Sequence, residues 1–379
     1  MTVVLTNARL VLADRIVEGS IAFDREGIRD VSEGRTAAPG AIDVEGDYVA
    51  PGLIECHTDN LEKHFMPRPR VFWPDPLAAA LAHDAQMGAS GITTVYDALC
   101  AGGFDEDNDY RRDIFADMVD AIEQGVAKGV FRIDHRIHLR CELTDRRLKQ
   151  ILTPHVDRPL VALASLMDHT PGQRQWRDVR HFKGYLTSEG RSDAEAEAII
   201  AQRVERNAAA VADNARDVAE LFQARRVPLA SHDDTTAEHV EEAVAFGCAI
   251  SEFPTTRDAA EAARRRGLRT VGGAPNVVRG GSHSGGVAIT DLAAEGLLDV
   301  LSSDYVPSSL LQAVHVLTER AGLKLHEAFG LATWRVADML GLGDRGRLEP
   351  GLRADVLRVR FLAGTPILRA LYSRGLQVF

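Results

Sequence analysis

Apolar residues in the first fifty positions come in short runs: Val3-Val4-Leu5, Leu10-Val11-Leu12, Ile21-Ala22-Phe23 and Gly27-Ile28. Polar and turn residues separate them. Runs this short predict β-strands rather than helices. Such strands cannot cover both faces alone, so they need partners from elsewhere in the chain. The C-terminal runs Asp355-Val356-Leu357-Arg358-Val359 and Leu376-Gln377-Val378-Phe379 supply candidates. The pattern predicts a small β-sandwich domain built from both chain ends, residues 1–52 with 341–379.

Between the ends the pattern changes. Strand-length apolar runs at 53–59, 92–97, 136–142, 160–169, 228–234, 249–255, 270–276 and 298–304 alternate with helical patterns such as 109–128, 194–225 and 237–246. Strand–helix alternation predicts a parallel sheet, and eight strands is the count of a (β/α)8 barrel. The expected fold is α/β, a TIM-like barrel over 53–340 with the small β-domain attached. The longest excursion, about 171–227, is helix-rich and charged and reads as an insertion beside the barrel mouth. There is no internal repeat or low-complexity tract.

Several predicted strands finish on metal-type ligands. The first, after Pro51-Gly52, reads Leu53-Ile54-Glu55-Cys56-His57-Thr58-Asp59. Strand alternation puts His57 and Asp59 on one face. His138, Arg140 and Glu142 share a face of the third. Met167-Asp168-His169, Ser231-His232-Asp233-Asp234 and Ser302-Ser303-Asp304 end later ones. Buried polar ends need partners, and a divalent metal centre satisfies many at once. Taken singly, each is as well read as a satisfied structural residue. Asp233 and Asp234, just before Thr235-Thr236-Ala237, read as helix caps. The repetition at one end of separate strands favours the metal. Asp304, on the last strand, is the candidate catalytic base.

Bulk properties narrow the partners. The net charge of −11 argues against nucleic acid as a partner. Four cysteines without a C-x-x-C spacing exclude a disulfide framework or thiolate zinc site. The first residues lack a signal-peptide layout, and no apolar run approaches the roughly 18 residues of a membrane span. The expectation is a soluble cytoplasmic protein with no membrane partner; a homo-oligomer is compatible with the chain but not specified by it.

The Pro51-Gly52-Leu53-Ile54-x-x-His57-x-Asp59 opening resembles the first barrel strand of the amidohydrolase superfamily. The stretch Gly346-Arg347-Leu348-Glu349-Pro350-Gly351-Leu352-Arg353-Ala354-Asp355-Val356 resembles that superfamily's return into its small β-domain. Most members carry His-x-His where this chain has His57-x-Asp59. That departure narrows the likeness to a phosphonate-degrading branch that cleaves triphosphates. So do Ser165-Leu166-Met167-Asp168-His169-Thr170-Pro171-Gly172-Gln173, Glu252-Phe253-Pro254-Thr255-Thr256 and Gly273-Ala274-Pro275-Asn276-Val277-Val278-Arg279-Gly280-Gly281-Ser282-His283-Ser284-Gly285.

The resemblance implies that His57, Asp59, Glu142, His169, His232 and Asp304 hold two divalent ions, zinc by family habit, with Glu142 in place of a bridging carboxylated lysine. The superfamily usually puts its two single histidines on strands five and six; the count here puts His169 and His232 on four and five. The implied reaction splits a ribose 5-triphosphate bearing a phosphonate, releasing pyrophosphate. So anionic a substrate requires local cations in a protein of this net charge. Lys63, Arg68, Arg70, Arg140, Arg174, Lys183, Arg279 and His283 lie in predicted loops or strand ends and are the candidate substrate-binding residues. The glycine-rich stretch 280–286 can bring backbone N–H groups to a phosphate. Arg264-Arg265-Arg266 reads as a helix end facing solvent. Two other readings use the same fold: an amide or cyclic-amide hydrolase, which needs fewer loop cations, and a non-catalytic scaffold, which would have lost ligand residues.

Overall fold

The computed structural model describes residues 2–103, 110–174, 179–188, 190–282 and 285–379. The apolar runs of the N-terminus form β1 (Val3–Val11), β2 (Ile16–Asp24), β3 (Gly27–Glu33), β4 (Ile42–Asp43) and β5 (Tyr48–Pro51). The barrel strands follow: β6 (Leu53–Thr58), β7 (Ile92–Ala101), β8 (Asp134–Glu142), β9 (Val161–Met167), β10 (Leu229–His232), β11 (Ile250–Glu252), β12 (Arg269–Gly273) and β13 (Val300–Ser302). β14 (Val356–Leu362), β15 (Thr365–Ser373) and β16 (Leu376–Gln377) return to the first set. They join it in one mixed sheet of order β16-β15-β14-β5-β1-β2-β3, with β4 on β1. Its core, from Leu5, Leu10, Ile21, Phe23, Val49, Val356 and Tyr372, draws on both chain ends, as the sequence pattern requires.

β6 to β13 pair in parallel in chain order. The seam between β6 and β13 is bridged by Thr58 and Asp304, with the Thr58 hydroxyl donating to the Asp304 carbonyl at 2.6 Å. Fully buried strands of this kind suit a barrel covered by helices. α1 (Asn60–Phe65), α2 (Pro76–Ala89), α3 (Tyr110–Lys128) and α4 (Leu148–Leu152) cover its first half. The predicted insertion holds α5 (Val179–Ser188) and α6 (Asp193–Gln223), the latter opened by a Ser192–Glu195 capping box. The second half carries α7 (Ala237–Ala245), α8 (Arg257–Arg265), α9 (Ala274–Arg279), α10 (Ile289–Ala294), α11 (Ser309–Arg320), α12 (Leu325–Gly330) and α13 (Trp334–Met339). Val336 and Ala337 of α13 pack with Ile54, Tyr96, Val271 and Val300 and fill the barrel where its strands begin. The basic end of α8 faces solvent.

Two local details set the barrel's edges. Pro51-Gly52 carries the chain directly from the β-sheet into the barrel: the Gly52 N–H donates to the Asp355 carbonyl at 2.9 Å. A Cβ on Gly52 would lie 2.3 Å from the Thr93 hydroxyl, so only glycine fits. The run 270–276 stops being a strand at Gly273, because Pro275 sits in the first turn of α9.

Candidate metal and substrate site

The strand ends of β6 to β13 bring their polar residues together. β6 carries a bulge against β7 between Glu55 and Thr58 and ends at Thr58. Strand alternation therefore does not place Asp59, which is the N-cap of α1. Asp59 still borders the mouth, its Oδ2 3.7 Å from an Arg140 guanidinium nitrogen. The His57 ring lies 4.9 Å from that of His138 and 5.4 Å from that of His232, centroid to centroid, and His169 is 6.1 Å from His232. Phe253 packs edge-on against both His57 and His232.

Of three ligand-type groups among the described residues, one, His83, Asp97 and His135, is closed by its own hydrogen bonds of 2.7 and 2.8 Å to Asp97; the other two stand at the strand ends. His57, His138 and Glu252 form one; His169, His232 and Asp233 form the other. In the first, His57 Nδ1 stands 3.1 Å from Glu252 Oε1. In the second, His232 Nδ1 stands 2.9 Å from Asp233 Oδ2, and His169 Nδ1 bonds Glu142 at 2.6 Å. Glu252, His138 and Asp233 complete sets that the sequence reading assigned without them. Glu252 ends a strand of three residues, shorter than the predicted run 249–255, so the pattern places it inside the strand and not at its end. His138 shared a predicted face with Glu142. The capping pattern that includes Asp233 is fulfilled by Thr236, which caps α7 by accepting from the His239 N–H. Asp233 sits in the left-handed region with φ 55°. His169 and His232 do fall at the ends of the fourth and fifth barrel strands.

The electrostatics suit a cation. Burial holds His57 well below the ordinary imidazole range and pushes His138 down to about 3. Both are therefore neutral, with a lone pair to offer. Burial raises Glu252. Burial also opposes the charge of Glu142 and Asp233, but the neighbouring His169 and His232 hold those two carboxylates low. Burial first, and then the Asp59 charge, push Asp304 up to about 7. Buried atoms without a hydrogen bond include His57 Nδ1, His232 Nδ1, both Glu252 carboxylate oxygens and Asp59 Oδ1. Native interiors seldom leave such atoms unmatched. Imidazole nitrogens beside carboxylate oxygens are the donor set of a divalent metal, and the residues fit one.

The cations differ in their freedom. Lys63, on α1, donates to the Tyr305 carbonyl and lies 5.4 Å from that ring. Arg68 and Arg70 are exposed on the loop after α1, with Arg70 at φ 64°. Arg174 is buried; it bonds Asp234 at 2.6 Å and the His232 carbonyl at 2.9 Å. Lys183 pairs with Glu197 and Asp193 at 2.8 and 3.1 Å. Arg279 is exposed at the end of α9. His283 lies outside the described residues. Arg140, on β8, is nearly buried and lies within ion-pair distance of Asp59 and Glu62.

The chain as a whole is similar to known proteins. No family model matches the chain. Molinate hydrolase superposes with a TM-score of 0.67 at 12% identity, covering 100% of this chain and 94% of that one. N-isopropylammelide isopropylaminohydrolase from Burkholderia multivorans ATCC 17616 gives 0.61 at 16%, covering 100% and 98%. A D-hydantoinase gives 0.55 at 15%, covering 100% and 95%. The barrel and the two-ended β-sheet are the fold of these hydrolases, and the ligand clusters give it donor sets for divalent metal. The chain is 43% identical over 379 residues to alpha-D-ribose 1-methylphosphonate 5-triphosphate diphosphatase from Escherichia coli strain K12, covering 99% of this chain and 100% of that protein. It belongs to that diphosphatase family.

Proposed function

We propose that this protein hydrolyses alpha-D-ribose 1-methylphosphonate 5-triphosphate to pyrophosphate and the 5-phosphate, in phosphonate catabolism. The observation that carries the reading is the end-to-end 43% identity to the relative named for that substrate. The mouth supports it, with ligand-type residues on five of the eight barrel strands and buried donor atoms still unmatched.

Two zinc ions would be held by His57, Asp59, His138 and Glu252, and by Glu142, His169, His232 and Asp233, with Asp304 beside both. Such ions acidify water and neutralise phosphoryl charge. The chain's own residues do the rest. Asp304, fixed by the seam, accepts the proton of the attacking water. Lys63, Arg68, Arg70, Arg279 and His283 hold non-reacting anionic groups, and Arg174 braces the end of β10. Phe253 shields the histidines from solvent on one side. No helix among the described residues is long and apolar enough to cross a membrane. All four cysteines are buried free thiols, which suits a reducing compartment such as the cytoplasm.

Phosphorus NMR of the substrate incubated with metal-loaded protein tests the reading. Pyrophosphate and a phosphomonoester should appear together. Orthophosphate as the first product, or turnover of cyclic amides with the triphosphate untouched, would replace it.

A further inference from the structure

We infer that Arg140 binds the departing pyrophosphate, with Glu62 and Arg111 acting as its positioning residues. This rests on the triphosphate reading above and adds which end of the substrate faces which wall. β8 sets Arg140 between His138 and Glu142, at the rim of the ligand clusters. Its side chain is only 11% exposed. One terminal guanidinium nitrogen is buried with no hydrogen bond, although two carboxylates are near. That nitrogen is 3.7 Å from Asp59 Oδ2 and 3.9 Å from Glu62 Oε1, too far for a hydrogen bond to either. Glu62 Oε1 and Asp59 Oδ1 are likewise buried and unbonded.

A guanidinium buried without its hydrogen bonds is costly unless another species takes them. Glu62 does not close the gap, because its other oxygen accepts from Arg111 at 3.2 Å. The Arg140 Nε–H is directed to the Met167 sulfur at 3.4 Å, which fixes the plane of the group. The outcome is a fixed cation with one unmatched donor nitrogen beside Asp59, which borders the mouth. Planar guanidinium matches paired phosphoryl oxygens. Arg174 and Lys183 make hydrogen-bonded carboxylate pairs at 2.6 and 2.8 Å, whereas the two ion pairs of Arg140 are longer than hydrogen bonds, and Arg279 is exposed.

The chemistry says where this cation is most useful. Water oxygen bonds to the α-phosphorus, and the bond from that phosphorus to the bridging oxygen breaks. Its electron pair leaves on pyrophosphate, and the water's proton passes to a base. Negative charge thus develops on the leaving group. A fixed cation facing that charge acts in the transition state.

Arg140→Gln and Arg140→Lys test this, with Glu62→Gln as the positioning variant. Each is assayed for kcat, KM, metal content, melting temperature and inhibition by each product. For Arg140→Gln, kcat should fall about 100-fold or more at unchanged metal content. The inhibition constant of inorganic pyrophosphate should rise about 10-fold or more, while that of the 5-phosphate stays put. Arg140→Lys keeps the charge but loses the fork, so its pyrophosphate constant should also rise. That variant decides the matter if the glutamine protein does not fold. Glu62→Gln should weaken pyrophosphate by a smaller factor. An unchanged pyrophosphate constant, or an equal shift of both products, overturns the inference. If the wild-type protein itself releases no pyrophosphate from the triphosphate, the functional reading falls. Calorimetric titration of pyrophosphate into wild-type and Arg140→Gln protein then decides the inference separately: equal affinities reject it.

Discussion

Asp233, Phe253 and Asp304 follow three barrel strands with φ of 55°, 54° and 53°, a region that side chains with a Cβ avoid. Each costs on the order of 1 kcal/mol, and all three fall at the mouth. The turns take the chain out of the ladder at the mouth, just past the paired residues. Asparagine tolerates this backbone as well as aspartate does. Asp304→Asn should therefore keep the fold and metal content while kcat drops about 10²-fold or more, because an amide cannot take up the water's proton. Steady-state kinetics with parallel elemental analysis checks it; near-normal turnover would move the base to Asp233. The same turns explain what the sequence hid at this scale. His57, His169 and His232 were legible because each ends an apolar run. Asp233 was masked by a capping pattern that Thr236 fulfils. Glu252 lay inside the predicted run 249–255, whereas the strand ends on it.

The ends of elements, more than their middles, decide how the mouth is braced. The segment after β9 sends Arg174 back to the end of β10, where Asp234 also accepts from the hydroxyls of Ser231 and Ser251. Removing the arginine leaves a buried carboxylate without its counter-charge. Arg174→Ala should lower stability by about 3–5 kcal/mol, the scale for breaking a buried pair. It should also weaken metal binding, since the His232 carbonyl accepts from the same guanidinium. Denaturant unfolding and metal titration measure the two effects; a variant of native stability with only a raised KM would make Arg174 a substrate residue after all. Periodicity located the eight barrel strands because buried strands are continuous apolar runs. It ran several of them too far, since polar residues at the mouth extend the apparent run beyond the paired backbone. β10 ends at His232 and β11 at Glu252, where the chain turns out of the ladder.

For the whole molecule, the join between barrel and β-sheet carries its own charge cluster. Asp134, which opens β8, receives Arg345, Arg353 and Arg374 from the returning C-terminal segment. Burial raises its pKa, but Arg345 and Arg353 outweigh that and hold it at about 2. An unfolded aspartate titrates near 3.9. The depressed value stabilises the fold fully above that pH, and the stabilisation is lost as pH falls toward 2. Asp134→Asn should remove about 2 kcal/mol at neutral pH and flatten the acid limb of a melting-temperature profile between about pH 4 and 2. An unaltered acid limb would place the sensitivity elsewhere. Chelation should act on the same observable from the opposite end of the barrel, lowering the melting temperature as activity is lost, because bound ions stabilise only the folded chain. β5 pairs with β14, yet about 300 residues of barrel are made between them. At the usual pace of synthesis the first strands exist for roughly 15–60 s before that partner strand is made. A nascent chain thus carries an open strand edge through most of its birth, and a chaperone that covers β-edges should raise the yield of this protein more than that of a barrel whose first residues are already helical.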